Sequence, residues 1–408
     1  MSVAAAAPDA APSQQRRTGH LRQVDLIRIV PMIGVVATHA LIFTQPVQSA
    51  GSNAVLMLLH ANREIFFFVT AFVLYLSVVR RSEPEPIVRF WRRRYPLIVV
   101  PYLIWTLIYW FQSQGWVPWP PGPALNLLGV DLALGWFHLY FLLVTMQLYA
   151  VFPLLVWLVR RTRGHHWWLL GISTAVQLVF TAQFQYGSAW APWWLQTWFN
   201  YAQVELTSYQ LYFVLGALAA DHLDECLAWI RRHPRAALAT VVASAVGAEA
   251  WYVFNIAIGE RPDIASGVFQ PASLLTVVAS VLGLAVLADR LALTHPADGR
   301  VWRTVRAGAQ TSFGVYLGHM LPLQLLLLTP LVTLLGLHAL PMAVQAVIVL
   351  ALVLTATFAM VRLFQRTPLA VALTGRDGGR PQQRRRVETA AAAKGAAPAS
   401  GASPGSAG

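Results

Sequence analysis

The chain has 408 residues, of which 57% are hydrophobic and only 12% are charged. A soluble domain carries about a quarter charged residues, so this composition excludes an ordinary soluble protein. The net charge is +13, but nearly all basic residues are arginines grouped between apolar segments, which is typical of membrane-protein loops rather than of a nucleic-acid interface. The single cysteine, Cys226, excludes an internal disulfide framework and a cysteine-based zinc site.

Apolar runs with about the length of a membrane helix recur along the chain. They predict ten spans, at 26–44, 55–79, 96–113, 136–159, 167–183, 205–220, 236–257, 268–288, 309–333 and 342–364. Residues 1–20 and 375–408 are rich in residues that cannot build an apolar core, which predicts disordered tails, the second of them basic. We therefore expect an all-α, polytopic bundle of about ten transmembrane helices over residues 21–366.

The arginine runs alternate with the predicted spans. With the N-terminus in the cytoplasm they all fall on the cytoplasmic side, and Arg261 is then the single basic residue in the predicted outer loops. This bias predicts a multi-pass protein of the cell (plasma) membrane with both termini cytoplasmic.

The first predicted span contains Asp25, Arg28 and His39. At about 100° per residue, Arg28 and His39 lie within roughly 20° of one another on a helix, and Asp25 lies within roughly 40° of His39. Ionisable groups in a membrane helix normally face the protein interior, so the three predict a polar cleft within the bundle. His39 is a candidate general base, and the alternative is a buried histidine hydrogen-bonded to a neighbouring helix.

The second span contains His60, Arg63 and Glu64 in its outer half. Arg63 and Glu64 lie at a depth similar to that of His39, which makes Glu64 a second catalytic candidate and Arg63 a candidate for substrate binding. A purely structural ion pair is the alternative.

Two further candidates for substrate binding precede later spans. Arg94 is the arginine of the 92–94 run nearest the third span, where it either anchors the helix or, with Arg28, binds phosphate. His138 opens the fourth span. Glu205, Glu249 and His319 are more typical of ordinary bundle residues.

Two predicted outer loops, 114–135 and 184–204, are rich in tryptophan, which suits either the membrane interface or a platform for a sugar ring. The tryptophans are Trp116, Trp119, Trp190, Trp193, Trp194 and Trp198. The chain contains no GxxxxGK[ST] or HExxH motif, and its single G-x-S-x-G match, at residues 401–405, falls in the predicted disordered tail rather than at a turn between a strand and a helix. It therefore offers no support for an ATPase, an elbow-type hydrolase or a zinc protease. We expect no bound metal or cofactor.

Five motifs follow one another in the chain. They are Asp25-Leu-Ile-Arg28 with His39; Asn62-Arg-Glu64-Ile-Phe-Phe-Phe-Val-Thr70-Ala71-Phe72; Phe90, Arg94, Pro101, Tyr102 and Trp105; His138-Leu-Tyr-Phe141 with Tyr149 and Pro153; and Ser312, Gly314, Tyr316, Leu317 and His319. In this order they resemble the acyltransferase-3 family of integral-membrane O-acyltransferases that act on bacterial surface glycans. The resemblance covers about residues 20–365.

The resemblance implies transfer of an acyl group, usually acetyl, from cytoplasmic acyl-coenzyme A to a hydroxyl of an extracytoplasmic glycan or lipid-linked sugar. Arg28 and Arg94 would hold coenzyme A phosphates, with Asp25 orienting Arg28. His39 would deprotonate the acceptor hydroxyl, or carry the acyl group itself. Arg63, Glu64 and His138 would position His39 or the acceptor, or offset charge on the tetrahedral intermediate.

The chain departs from the family pattern at three places. Glu64 replaces the usual aspartate, Thr70-Ala71 replace Ser-Gly, and Leu97 stands where many members have a second arginine. The last change resembles the branch that modifies extracellular polysaccharides, which includes proteins once assigned to export. A transporter or flippase for a glycan intermediate is therefore the competing interpretation, and a non-catalytic scaffold is a third.

Overall fold

The computed structural model describes residues 22–81, 83, 85–117, 120–187, 192–193, 201–329 and 335–376. These residues form α-helices and short 3₁₀ turns, with no β-strand among them. The α-helices of this part of the chain are α1 Arg22–Thr44, α2 Ala50–Leu59, α3 Ala61–Val79, α4 Ile87–Arg94, α5 Pro96–Ser113, α6 Pro121–Leu134, α7 Tyr140–Arg161, α8 His166–Tyr186, α9 Gln210–Asp221, α10 Leu223–Arg232, α11 Pro234–Ala257, α12 Pro262–Ala265, α13 Ser273–Thr294, α14 Arg300–Gly318, α15 Met320–Leu328, α16 Met342–Phe364 and α17 Ala370–Thr374.

By length and composition, eight helical segments of the described chain can cross a membrane, and a ninth is formed if the bent pair α14–α15 counts as one span. The eight are Arg22–Thr44, Ala50–Val79, Ile87–Ser113, Pro121–Arg161, His166–Tyr186, Pro234–Ala257, Ser273–Thr294 and Met342–Phe364. The predicted all-α, multi-pass membrane fold is confirmed.

The structure differs from the predicted elements at three places. The predicted span at 205–220 is reduced to α9, whose 12 residues measure about 18 Å and cannot cross a hydrocarbon core of about 30 Å. The predicted outer loop at 114–135 contains α6. The predicted span at 309–333 is bent by 51° between α14 and α15, and its residues 330–333 lie outside the described part.

The tails fall almost entirely outside the description. Residues 1–20 are not described, and of the predicted tail at 375–408 only Gly375 and Arg376 are. These two residues follow α17 directly, so the packed body continues two residues past the predicted tail boundary. The indole of Trp105 on α5 fixes α17 by donating a hydrogen bond to the carbonyl of Leu373, at 3.0 Å.

Helix α1 lies inside the bundle, packed against α3, α13, α14 and α16. The short helix α9 packs closely along α3, where a Cβ on Gly216 would lie 2.2 Å from the carbonyl oxygen of Phe68. Small residues that allow backbones to approach are a common basis of helix packing in membranes. Both α1 and α3 therefore present their polar residues to protein rather than to lipid.

Helix α6 runs antiparallel along α5 towards the interior. The indole of Trp110 donates to the carbonyl of Ala124 at 2.8 Å, and the hydroxyl of Tyr102 donates to the carbonyl of Leu132 at 2.8 Å. The chain then turns at Gly135, whose φ of +79° is accessible mainly to glycine. A Cβ there would also lie 2.5 Å from the backbone of Tyr140. This turn delivers the 3₁₀ segment Phe137–Leu139 into the bundle.

Candidate active site

A pair of histidines lies between α1 and the α14–α15 bend. His39 Nδ1 is 2.7 Å from His319 Nε2, and the two rings are parallel within 3° with their centroids 5.0 Å apart. His319 is fully buried, whereas His39 is half-buried. The predicted alternative for His39, a hydrogen bond to a neighbouring helix, is therefore present. It does not exclude a chemical role, because it uses only one ring nitrogen.

The bend at His319 has a cause in the sequence. Pro322 lies in the first turn of α15, and without an N–H it cannot bond to the carbonyl of Gly318, four residues earlier. Nearby carbonyls at the end of α14 accept side-chain donors. The carbonyl of Leu317 accepts from the hydroxyl of Tyr109 at 2.7 Å and from His138 Nε2 at 3.3 Å.

The hydrogen bonds fix the proton positions of the pair. The carbonyl of Tyr316, 2.7 Å from His319 Nδ1, can only accept, so His319 Nδ1 carries the proton. In neutral His319 the other nitrogen, Nε2, is then an acceptor, and His39 Nδ1 must donate to it. Neutral His39 is left with a lone pair on Nε2. An imidazole held in one tautomer by a second group has the arrangement of a general base.

His138 completes a group of three imidazoles that we call the histidine cluster: His39, His138 and His319. The His138 ring centroid lies 4.8 Å from that of His319 and 6.0 Å from that of His39. Its Nε2 faces the carbonyl of Leu317 and its carbonyl accepts the hydroxyl of Tyr316. Its Nδ1 is buried without a hydrogen-bond partner in the described part of the protein.

Arg63 and Glu64 form a second centre, apart from the histidine cluster. Arg63 Nε donates to Glu64 Oε1 at 2.9 Å and Nη1 donates to the hydroxyl of Tyr140 at 3.2 Å, while the guanidinium lies 4.9 Å from the ring centroids of Tyr209 and Phe269. Among the described residues, no hydrogen bond joins Glu64 to His39. The two charges compensate each other in a buried aromatic setting, as the structural alternative predicts.

Arg28 and Arg94 line one cavity of about 220 Å³, together with Arg376. Arg28 is within electrostatic range of Asp25, Arg94 and Arg376, and Asp25 is 5% exposed. Arg28 lies about 16 Å along α1 from His39. The polar stripe of α1 thus faces protein, as predicted, with a cationic cavity at one end and the histidine cluster further along.

An aromatic layer closes the end of this cavity that faces the histidine cluster. It consists of Phe66, Phe141 and Tyr316, whose ring centroids are 5.2–6.0 Å apart and which all line the cavity. The Tyr316 ring lies 5.4 Å from that of His138, so the layer is one ring thick. In this conformation the predicted cleft is therefore not continuous from Arg28 to His39.

A larger cavity of about 620 Å³ lies on another side of α1 and has almost purely hydrocarbon walls, including Phe68, Phe72 and Val277. It lacks the several converging polar groups that orient a reaction, apart from His166 and His222 at its edge. The cationic cavity is the better candidate for a charged substrate.

Two residues of the site were not predicted as such. The sequence pattern predicts ordinary packing for His319, and the signal that distinguishes this residue is Pro322 three positions later, where the helix bends. Arg376 falls in the predicted tail.

Of the predicted outer tryptophans, Trp116 and Trp193 are exposed, and the other four lie outside the described residues.

The comparison with known families agrees with this architecture. The acyltransferase-3 family model, described as an acyltransferase domain, matches residues 21–362. No curated protein and no solved structure matches the chain significantly. The match covers nearly the whole chain, and this protein belongs to the acyltransferase-3 family of membrane acyltransferases.

Proposed function

We propose that the protein transfers an acyl group, most simply acetyl, from cytoplasmic acyl-coenzyme A to a hydroxyl of an extracytoplasmic glycan or lipid-linked sugar. The observation that carries the proposal is the pairing of His39 with His319, which leaves the Nε2 lone pair of a half-buried imidazole free above a cavity lined by three arginines. The membrane concerned is the cell membrane.

The donor binds at the cationic end. A planar guanidinium can donate two parallel hydrogen bonds to two oxygens of one phosphate. Arg28, Arg94 and Arg376 therefore suit the phosphates of coenzyme A. The cavity is smaller than the roughly 300–1,000 Å³ of pockets for drug-sized ligands, so the extended arm fits it better than the nucleotide does. The nucleotide then stays at the mouth, where Arg376 is exposed.

The acyl group must pass the aromatic layer to reach the histidine cluster. Rotation of the side chains of Phe66 and Phe141 would open a passage one ring wide, while Tyr316 keeps its hydrogen bond to the carbonyl of His138. A layer that opens only for the acylated arm would keep water from passing between the cationic cavity and the histidine cluster between turnovers.

At the cluster, His39 Nε2 takes the proton of the acceptor hydroxyl while the oxygen of that hydroxyl attacks the thioester carbonyl. The tetrahedral intermediate then breaks its C–S bond. The coenzyme A thiolate recovers the proton from His39, which gives the ester and the free thiol. The unpartnered Nδ1 of His138 can accept a hydrogen bond from a second hydroxyl of the acceptor. Attack by His39 Nε2 on the thioester, through an acyl-histidine, uses the same lone pair.

Purified protein incubated with radiolabelled acetyl-coenzyme A and a panel of cell-envelope glycans tests the proposal. The label should move to a glycan, and the transfer should require His39 and remain in Ile42→Ala, a lipid-exposed change on the same helix. Rapid quenching without acceptor separates the two routes, because only an acyl-histidine leaves label on the protein. Transport of a glycan without any donor would instead support the transporter interpretation.

A further inference from the structure

A second histidine pair lies at the end of the bundle that the charge bias predicts to be cytoplasmic. His166 is the first residue of α8, and Asp221 and His222 form the junction between α9 and α10. His166 Nδ1 and His222 Nε2 are 2.7 Å apart. One ligand atom from each of these three residues lies within 4.8 Å of the others, and no other group of three or more such residues in the described chain meets this condition.

We propose that His166, Asp221 and His222 form a binding site for a divalent transition-metal ion of the zinc type, which clamps the start of α8 to the end of α9. Two imidazoles and a carboxylate are a common ligand set for zinc, with water as the fourth ligand. The site is independent of the proposed transfer reaction. It goes beyond the sequence motifs, from which no metal site is predicted.

Each ligand has the outer partner that a metal ligand requires. His166 Nε2 donates to the carbonyl of Val159 at 2.8 Å, so its lone pair is on Nδ1, which faces the proposed ion. His222 Nδ1 lies 3.3 Å from the carboxylate of Glu225, which can accept a hydrogen bond from the N–H of that nitrogen when Nε2 binds metal. The hydroxyl of Tyr75 donates to Asp221 Oδ1 at 3.2 Å and orients the carboxylate.

The hydrogen bonds around His222 require one more positive charge than a neutral imidazole supplies. If neutral His222 donates from Nε2 to His166, its Nδ1 has a lone pair and faces Glu225, which is also an acceptor. A neutral imidazole has only one N–H, so it cannot satisfy both neighbours. Two arrangements remove the conflict: a second proton on His222, or a metal ion bound to His166 Nδ1 and His222 Nε2 that leaves the His222 proton for Glu225. The zinc measurements below distinguish the two.

The geometry needs only small side-chain movements. Zinc–nitrogen and zinc–oxygen bonds of about 2.0–2.2 Å place the ligand atoms of a tetrahedral site about 3.4 Å apart. The two rings would therefore separate by less than about 1 Å, and the carboxylate would move inward by at most about 1.4 Å. His222 has 44% of its side chain exposed, which gives the ion an entry path. Arg163 lies 4.0 Å from Asp221 and is 66% exposed, so solvent screens its charge.

The full-length protein, purified in detergent with a tag that lacks histidine, provides the test. After treatment with a chelator it is exposed to Zn²⁺ and freed of excess metal on a desalting column. Elemental analysis should then give about one zinc per chain. His166→Ala and His222→Ala should each lower this to background, and His165→Ala, an exposed histidine next to His166, should keep it. Retention of zinc by the double variant of His166 and His222, or less than a tenth of an equivalent in the wild type, would overturn the proposal.

Wild-type protein alone offers a second measurement, which does not depend on whether a variant folds. X-ray absorption of the zinc-loaded protein should show imidazole scattering from two histidines with nitrogen or oxygen ligands at about 2.0–2.2 Å. A coordination shell without imidazole would place the ion elsewhere and would equally refute the site.

Discussion

The two histidine pairs of this protein share a local geometry and differ in their surroundings. His39–His319 and His166–His222 both have ring nitrogens 2.7 Å apart, and in both pairs one ring donates from its other nitrogen to a backbone carbonyl, at 2.7 and 2.8 Å. In both, the carbonyl determines which nitrogen carries the proton. The direction of each hydrogen-bond chain is therefore set by the backbone rather than by the histidines.

The surroundings decide what each pair can do. Within the bundle, the outer histidine of the chain, His39, has no carboxylate bonded to it among the described residues, and its free nitrogen can take a proton. At the end of the bundle, His222 has Asp221 beside it in sequence and Glu225 one turn away, so negative charge converges on the rings. A lone pair without a counter-charge favours acid–base chemistry, whereas lone pairs beside carboxylates favour a metal ion.

Removal of the base is expected to have the largest effect. His39→Ala should lower acyl transfer by about 100- to 10,000-fold, the range that general-base catalysis contributes. Donor binding at the arginines, some 16 Å away, should persist. Initial rates with labelled acetyl-coenzyme A measure the change, and Ile42→Ala controls for disturbance of α1. Turnover near the wild-type rate would make His39 a structural residue and remove the difference between the two pairs.

The second largest loss of activity is expected from removal of His319, which positions His39. His319→Ala removes the acceptor that holds His39 in its tautomer, and by analogy with the outer partners of metal ligands we expect a loss of about 10- to 100-fold in kcat with the donor KM unchanged. His319→Gln offers an amide oxygen to His39 Nδ1 and should recover much of the rate. A purely structural role predicts that the two variants lose thermal stability and activity together, without rescue by glutamine.

The parts of this site that were predictable lie on one helix. The angular spacing of a helix is fixed, so the placement of Asp25, Arg28 and His39 on one side of α1 followed from the sequence. Because exposing ionisable groups to lipid is unfavourable, this side of the helix was expected to face the interior of the bundle. For the same reason the all-α membrane fold was evident from the apolar runs alone.

The parts that were missed depend on contacts distant in sequence or on short elements. The bond between His39 and His319 joins residues 280 positions apart, and no pattern within either helix reports it. Arg376 belongs to the cavity because α17, a helix of five residues, is fixed by Trp105. Composition averaged over a Gly- and Arg-rich tail cannot detect an element of that size.

The third test concerns binding of acyl-coenzyme A at the cationic cavity. His39 can act as the base only if the acyl donor reaches it through that cavity. Arg28→Ala and Arg94→Ala should each weaken coenzyme A binding by about tenfold, since a hydrogen bond to a charged group is worth about 1.5 kcal/mol or more. Arg92→Ala is the matched control, because Arg92 is exposed and lies in the same run but does not line the cavity. Isothermal titration in detergent measures the affinities. Equal losses in all three variants would indicate general surface attraction instead of a cavity.

The smallest expected effect concerns the pair at the end of the bundle and rests on the proposed metal site. Tyr75→Phe deletes one hydroxyl, which donates to Asp221 at 3.2 Å. Loss of an outer partner typically lowers metal affinity by about tenfold or more, and the exposure of this site places the expected change at the lower end of that range. Competition with a fluorescent zinc chelator measures it. If Asp221 is instead only a hydrogen-bond acceptor for Tyr75, the zinc affinity of Tyr75→Phe will equal that of the wild type. His166 and His222 would then hold the ion without Asp221, and that carboxylate would not account for the difference between the two pairs.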